Sequence, residues 1–201
     1  MAITSICALL KNGLDLSCER PVGKYYQQVV LINYTDIDQD TVVAPWTEDY
    51  PITEDCQYFA QFVLEDGTTG FRFTFPEKSA SIFGTADMAT NEQGYTTFLH
   101  HLNLLAASAT EEQKCMLDAI LKGKFVAAVQ LMNNVIEIYG LQYGLFADDV
   151  TIDGQTNAGA TPIILSSREF GEENTLPLVY RPQVGGNAVA DFDANFANGG
   201  S

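Results

Sequence analysis

The residues best suited to chemistry in this chain are few. His100 and His101 are its two histidines. They stand side by side in the run GYTTFLHHLNLL, whose alternation predicts a strand, and neighbours on a strand point to opposite faces. They cannot ligate one metal together or act as a catalytic pair, so one partly buried and one surface histidine is expected. A nucleophilic enzyme needs a Ser, Cys or Thr beside an oriented base. The sequence offers no G-x-S-x-G elbow, no S-x-x-K and no protease-type cysteine signature. Cys7, Cys18, Cys56 and Cys115 lie far apart with no C-x-x-C pair. That spacing predicts four reduced, mostly buried thiols, neither a zinc set nor a disulfide framework.

Carboxylates come closer to a motif. Asp36, Asp38 and Asp40 imitate the opening of a calcium loop, which then requires Gly at its sixth place and Glu at its twelfth. Those places hold Thr41 and Thr47, so a solvated acidic loop is expected. Asp148, Asp149 and Asp153 form a second acidic cluster without ligand spacing. Dinucleotide and Walker A glycine patterns are absent. Asn33-Tyr34-Thr35 fits a glycosylation sequon, but no secretory leader is recognised before it. Tyr58, Phe59, Phe62, Phe71, Phe73 and Phe75 could form a stacking platform for sugars or bases; their alternation favours a sandwich core instead. No catalytic, cofactor-binding or metal-ligating residue is assigned, and a non-enzyme is expected.

The elements that would position these residues are mostly short strands. Residues 25–34 (YYQQVVLINY) read as a strand, and 35–55, with Pro45 and Pro51, as a loop with a short strand near 41–44. Residues 57–64 and 70–75 flank a Gly67 turn and predict a hairpin. The long strand 94–105 puts Phe98, His100, Leu102 and Leu104 on one face. Thr110, Glu111, Glu112 and Gln113 then spell a capping box, and 111–122 is predicted helical, with Met116, Ala119 and Ile120 as its apolar stripe, widened by Leu117 and Leu121. Residues 124–130 and 135–139 form a hairpin through Asn133-Asn134. Further strands are expected at 145–152, 161–166 and 176–180. The fold class is therefore mainly β (α+β), a β-sandwich or barrel with one flanking helix. Residues 1–24 are read as an arm, 25–182 as a single β-rich domain, and 183–201 as a tail, flexible from Gly185 onward; deleting 186–201 is expected to leave the core folded.

Composition narrows the partners. Of 201 residues, 46% are hydrophobic and 18% charged, enough apolar content for a proper core. Ten Lys and Arg face 26 Asp and Glu, a net charge of −16. Such a surface repels nucleic-acid phosphate and anionic membranes. No stretch approaches the ~18 apolar residues of a membrane span.

Together the strand VVLINYTDID, the Phe-rich hairpin, GYTTFLHHLNLL, the capped helix TEEQKCMLDAILKGK, the hairpin FVAAVQLMNNVIEIYGLQYGL and the ending LPLVYR follow a familiar order. It resembles structural virion proteins of tailed bacteriophages, most of all tail tube proteins of the type found in phages of Bacteroidetes. The resemblance covers residues 25–182, and KGKFVAAVQLMNNVIEIYGLQYGL carries most of it. It implies a non-enzymatic subunit without cofactors. Such subunits assemble in the host cytoplasm into stacked rings, commonly of six, that join other tail or connector proteins in the virion. Genome DNA passes through the lumen without specific binding, which suits an acidic wall. Residues 1–24 and the acidic loop 35–55 have no counterpart in that pattern. A capsid decoration, head or connector protein, or a ligand-binding or enzymatic β-barrel, are the alternatives.

Overall fold

Val29, Val30, Leu31 and Ile32 are apolar at every position, not every second one, which marks a strand covered on both faces. In the computed structural model, which describes residues 25–51, 58–74, 82–90, 95–107, 110–148, 150, 160–167 and 172–197, all four are buried within β1 (Tyr25–Asn33). The strand β6 (Phe125–Leu131) repeats the pattern and pairs antiparallel with β1, Val30 opposite Ala128 and Ile32 opposite Val126. Around this pair a six-stranded sheet runs in the order β2 (Phe59–Ala60), β10 (Leu178–Tyr180), β7 (Ile136–Tyr139), β6, β1, β3 (Phe71–Thr74). A four-stranded sheet runs in the order β4 (Phe83–Thr90), β5 (Thr96–Ala107), β9 (Ala160–Ser166), β8 (Phe146–Asp148).

The two faces of the larger sheet feed two cores. Val29, Leu31, Ala127 and Val129 meet Leu102, Leu104, Ile163 and Leu165 of the smaller sheet, with Leu117 and Ile120 of the helix α1 (Glu111–Lys122) closing the end. Val30, Ile32, Val126 and Ala128 face the other way, under Ile37, Val42, Phe62, Leu64, Phe192 and Phe196. The chain is thus mainly β, a sandwich with a flanking helix on one side and an irregular cover on the other.

Local signals placed α1 correctly. Gln113 N–H donates to Thr110 Oγ1 at 3.2 Å and Thr110 N–H to Gln113 Oε1 at 3.1 Å, the reciprocal pair of a capping box. Of the expected apolar face, Ile120 and Leu117 are buried, whereas Met116 and Ala119 are exposed. Ile120→Ala should therefore cost about 2–5 kcal/mol, from transfer and cavity together. Thr110→Ala should cost about 1 kcal/mol through the lost cap. Urea unfolding that ranks the two in reverse order would show that Ile120 is not held in the core.

Other expectations are corrected. The 65–69 turn exists, with Gly67 at φ 78° and Thr68 N–H bonded to Glu65 O at 3.1 Å, but its arms do not pair with each other. β3 pairs with β1, β2 lies parallel to β10, and Gln61 and Leu64 bridge to Val43 and Ile37. Burying Phe62 and Leu64 in the cover draws that arm away from a hairpin. The short strand expected near 41–44 is a 3-10 turn at Gln39–Thr41 and the single bridge at Val43. The stretch β4, unassigned from sequence, is made a strand by its partner: its register with β5 runs unbroken from Phe83 opposite Asn103 to Thr90 opposite Thr96. The flexible tail is also overturned. Residues 188–193 form the helix α2 (Ala188–Asp193), and Phe192 and Phe196 are buried in the cover. The arm 1–24 lies outside the described residues.

Candidate functional site

The burial of polar groups concentrates at one place, the 140–144 turn after β7. Glycines at both ends, Gly140 and Gly144, adopt φ of 72° and 82°, a left-handed geometry that side chains resist. A Cβ on Gly140 would stand 2.5 Å from Leu145. Three N–H groups of this turn point inward at two buried titratable side chains. Gly140 N–H donates to His100 Nδ1 at 3.2 Å, and Gln142 and Tyr143 N–H donate to Glu173 Oε2 and Oε1, both at 3.0 Å.

Both acceptors are held by main chain. With Nδ1 accepting, His100 carries its proton on Nε2 and donates it to Thr175 O at 2.8 Å. Burial pushes its pKa down to about 4, so the ring is neutral. Burial likewise pushes the Glu173 carboxyl up to about 7, against the two N–H bonds and nearby Lys124, which favour the charged form. The Glu173 main chain pairs with Phe98 of β5 in both directions, at 2.8 and 2.9 Å. Glu173 therefore ties the smaller sheet to a turn of the larger one. Lys124 Nζ sits 3.4 Å from the Tyr34 ring centroid, and Tyr34 Oη donates to Gln142 O at 2.7 Å. The arrangement fixes a turn, and the hydrogen bonds of both titratable side chains run to main-chain groups.

The remaining candidates are dispersed. His101 faces away from His100, as strand geometry requires, and lies 3.4 Å from Asp87 across β4 and β5. Asp36 and Asp38 serve local turns: Asn33 Nδ2 donates to Asp36, and Asp38 Oδ1 accepts Asp40 N–H. Asp148 accepts from Ser166 Oγ at 3.1 Å, while Asp149 and Asp153 lie outside the described residues. Among the described residues no group of three His, Cys, Asp or Glu is arranged to hold a metal. Cys115 is a free, exposed thiol, not a buried one; Cys7, Cys18 and Cys56 lie outside the described residues. The aromatic cluster divides. Phe59 and Phe62 are core and Tyr58 packs against it, Phe73 is half-buried, but Phe71 is 51% exposed, since β3 is the end strand of its sheet. Phe75 lies outside the described residues.

Glu173 escaped sequence reasoning because Glu172 and Glu173 are indistinguishable by type; Glu172 stays near the surface, bonded to Thr97. A cavity of about 190 Å³ lies beside Phe62, Tyr180, Asp191 and Phe196, where Tyr180 Oη donates to Asp191 at 2.9 Å.

The surface is divided by chemistry. Asp36, Asp38, Asp40, Glu65 and Asp66 gather on the cover, where Glu65 N–H bonds Asp36 O at 2.8 Å. Among the described residues β4 is an end strand of the smaller sheet; it carries one charge in eight residues, with Phe83 46% and Met88 71% exposed. Comparison with protein-family models, with curated proteins and with solved structures finds no match to this chain.

Proposed function

We propose that this chain is a non-enzymatic virion subunit that self-associates into stacked rings, the tube of a phage tail. The observation that carries the reading is β4. Soluble monomers guard a long end strand with Lys, Pro, a bulge or a cover. β4 spans eight residues without Lys, Arg, Pro or a register break, and exposes Phe83 and Met88. Such a strand suits pairing with a neighbouring copy through main-chain groups. The acidic cover suits a lumen wall past which DNA phosphate slides. The main-chain commitment of His100 and Glu173 supports a structural role for the buried polar cluster.

Concentrating the purified chain should yield rings or tubes in negative stain and fast-sedimenting species. Main-chain pairing should survive salt that screens charges beyond ~8–10 Å. A chain that stays monomeric at high concentration, alone and with its particle partners, refutes the reading. Isolated knobs or trimers would favour a capsid decoration. Tight DNA binding at moderate salt would refute the lumen role separately.

A further inference from the structure

The cover over the six-stranded sheet ends in a clasp that is held by its own contacts. After β10 the chain turns, with Gly186 N–H bonded to Gln183 O at 2.8 Å, Gly185 at φ 88° and Val184 106% exposed. Beyond the turn Asn187 Oδ1 caps α2, accepting the N–H groups of Val189 and Ala190. Phe192 and Phe196 then enter a groove beside Phe62 and Tyr180.

Arg72 of β3 closes over them. Its Nε donates to Asn195 Oδ1 at 2.9 Å, a second nitrogen donates to Phe192 O, and a third stands 3.4 Å from Asp193. The guanidinium also lies 4.9 Å from the Phe192 ring centroid. Gly70 N–H bonds Asn195 O at 2.8 Å. The segment is thus a plug, capped where it starts, gripped where it ends, and joined to the body by an exposed glycine-bearing turn.

An element of this kind can leave its own seat and make identical contacts in another copy, at little cost beyond the hinge. Arg181 N–H stays bonded to Ala60 O at 2.8 Å, and residues 182–186 beyond it can span roughly 17 Å when extended. We propose that residues 187–197 of one copy dock in the Arg72 groove of a second copy, so that neighbouring subunits are joined by exchanged clasps. The proposal rests on the self-assembly reading above and names a contact for it. The occupant is fixed by what sits in the groove: two phenylalanines four residues apart, with Asp193 between them set against Arg72. On a chain of charge −16, that Arg–Asp pairing is an attractive contact between copies that otherwise repel.

The test uses two full-length variants. Arg72→Glu spoils the groove and keeps the plug, whereas Phe192→Ala with Phe196→Ala spoils the plug and keeps the groove. Only docking between copies can restore a seated plug when they are mixed. The mixture should show a heterodimer in sedimentation that neither variant forms alone. Proteolytic cleavage within the clasp of the Arg72→Glu chain should slow by about tenfold, because cleavage follows the undocked population. A mixture that sediments and is cleaved as the sum of its parts overturns the proposal. Should either variant fail to fold, the chain lacking residues 184–186 decides. Its shortened turn should drive it to clasp-linked oligomers; a chain that stays monomeric, whether or not its clasp is cleaved, overturns the exchange. Wild-type tubes without docking between variants would remove the exchange and leave the tube. Docking without tubes would do the reverse.

Discussion

Replacing Glu173 by Gln should make the protein lose about 3 kcal/mol relative to the unaltered chain as pH falls from 7 to 4.5. The buried carboxyl has a pKa of about 7 in the fold against an ordinary 4.5. Between those values the folded chain holds a proton that the unfolded chain has released. Its contribution is therefore fully present below 4.5 and lost as pH rises through 7. At 1.36 kcal/mol per unit the interval is worth about 3 kcal/mol. Gln cannot titrate, so the variant forgoes the gain on acidification.

His100 works in the opposite direction over nearly the same window. Its pKa is about 4 in the fold against an ordinary 6.5, so its contribution is present above 6.5 and lost as pH falls through 4. His100→Gln should accordingly gain about 3 kcal/mol on the unaltered chain over that fall. The two groups grip one turn, and between pH 4.5 and 6.5 their titrations offset each other. Denaturation midpoints at half-unit intervals of pH test this as difference curves against the unaltered chain, which removes the contribution of the many surface carboxylates. Curves that run parallel from pH 7.5 to 4 would show that neither group is buried in the way described.

What the sequence makes legible is what is local. The capping box of α1 needs only Thr110 and Gln113, and the hairpin between β6 and β7 needs Asn134, which holds φ 64° at the turn. β1 and β6 are legible as strands from their apolar residues, but that both faces of each are buried is seen only in the fold. Pairing partners are another matter. The 65–69 turn is written in the sequence, but its two arms are claimed by Val43, Ile37 and Leu31, residues whose positions the turn does not encode. The buried polar cluster is least legible of all. His100 could be placed on the inward face by alternation, yet its partners at Gly140 and Thr175 lie 40 and 75 residues away. Glu173 carries no mark in sequence that separates it from the surface acids.

Phe192→Ala should cost about 3–5 kcal/mol, the usual loss for a buried phenylalanine that leaves a cavity. The residue stands in AVADFDANFANGG, where Ala, Asn and Gly outnumber apolar side chains and suggest a tail. Its exposure is 0%. The seat that makes this possible is assembled from far upstream, since Arg72 and Asn195 are 123 residues apart. Loss of the ring leaves Arg72 without its aromatic neighbour and opens the space between Phe196 and the six-stranded sheet. Val184→Ala, in the preceding turn, should stay within about 0.5 kcal/mol, because an exposed side chain away from any contact has little to lose. Removal of residues 186–201 takes both Phe192 and Phe196 from the core, so it should destabilise the domain at least as much as Phe192→Ala and not leave it intact. Guanidinium unfolding of the three chains ranks them. Equal midpoints for Phe192→Ala and Val184→Ala would return residues 187–197 to the status of a tail, and with it withdraw the groove that Arg72 closes.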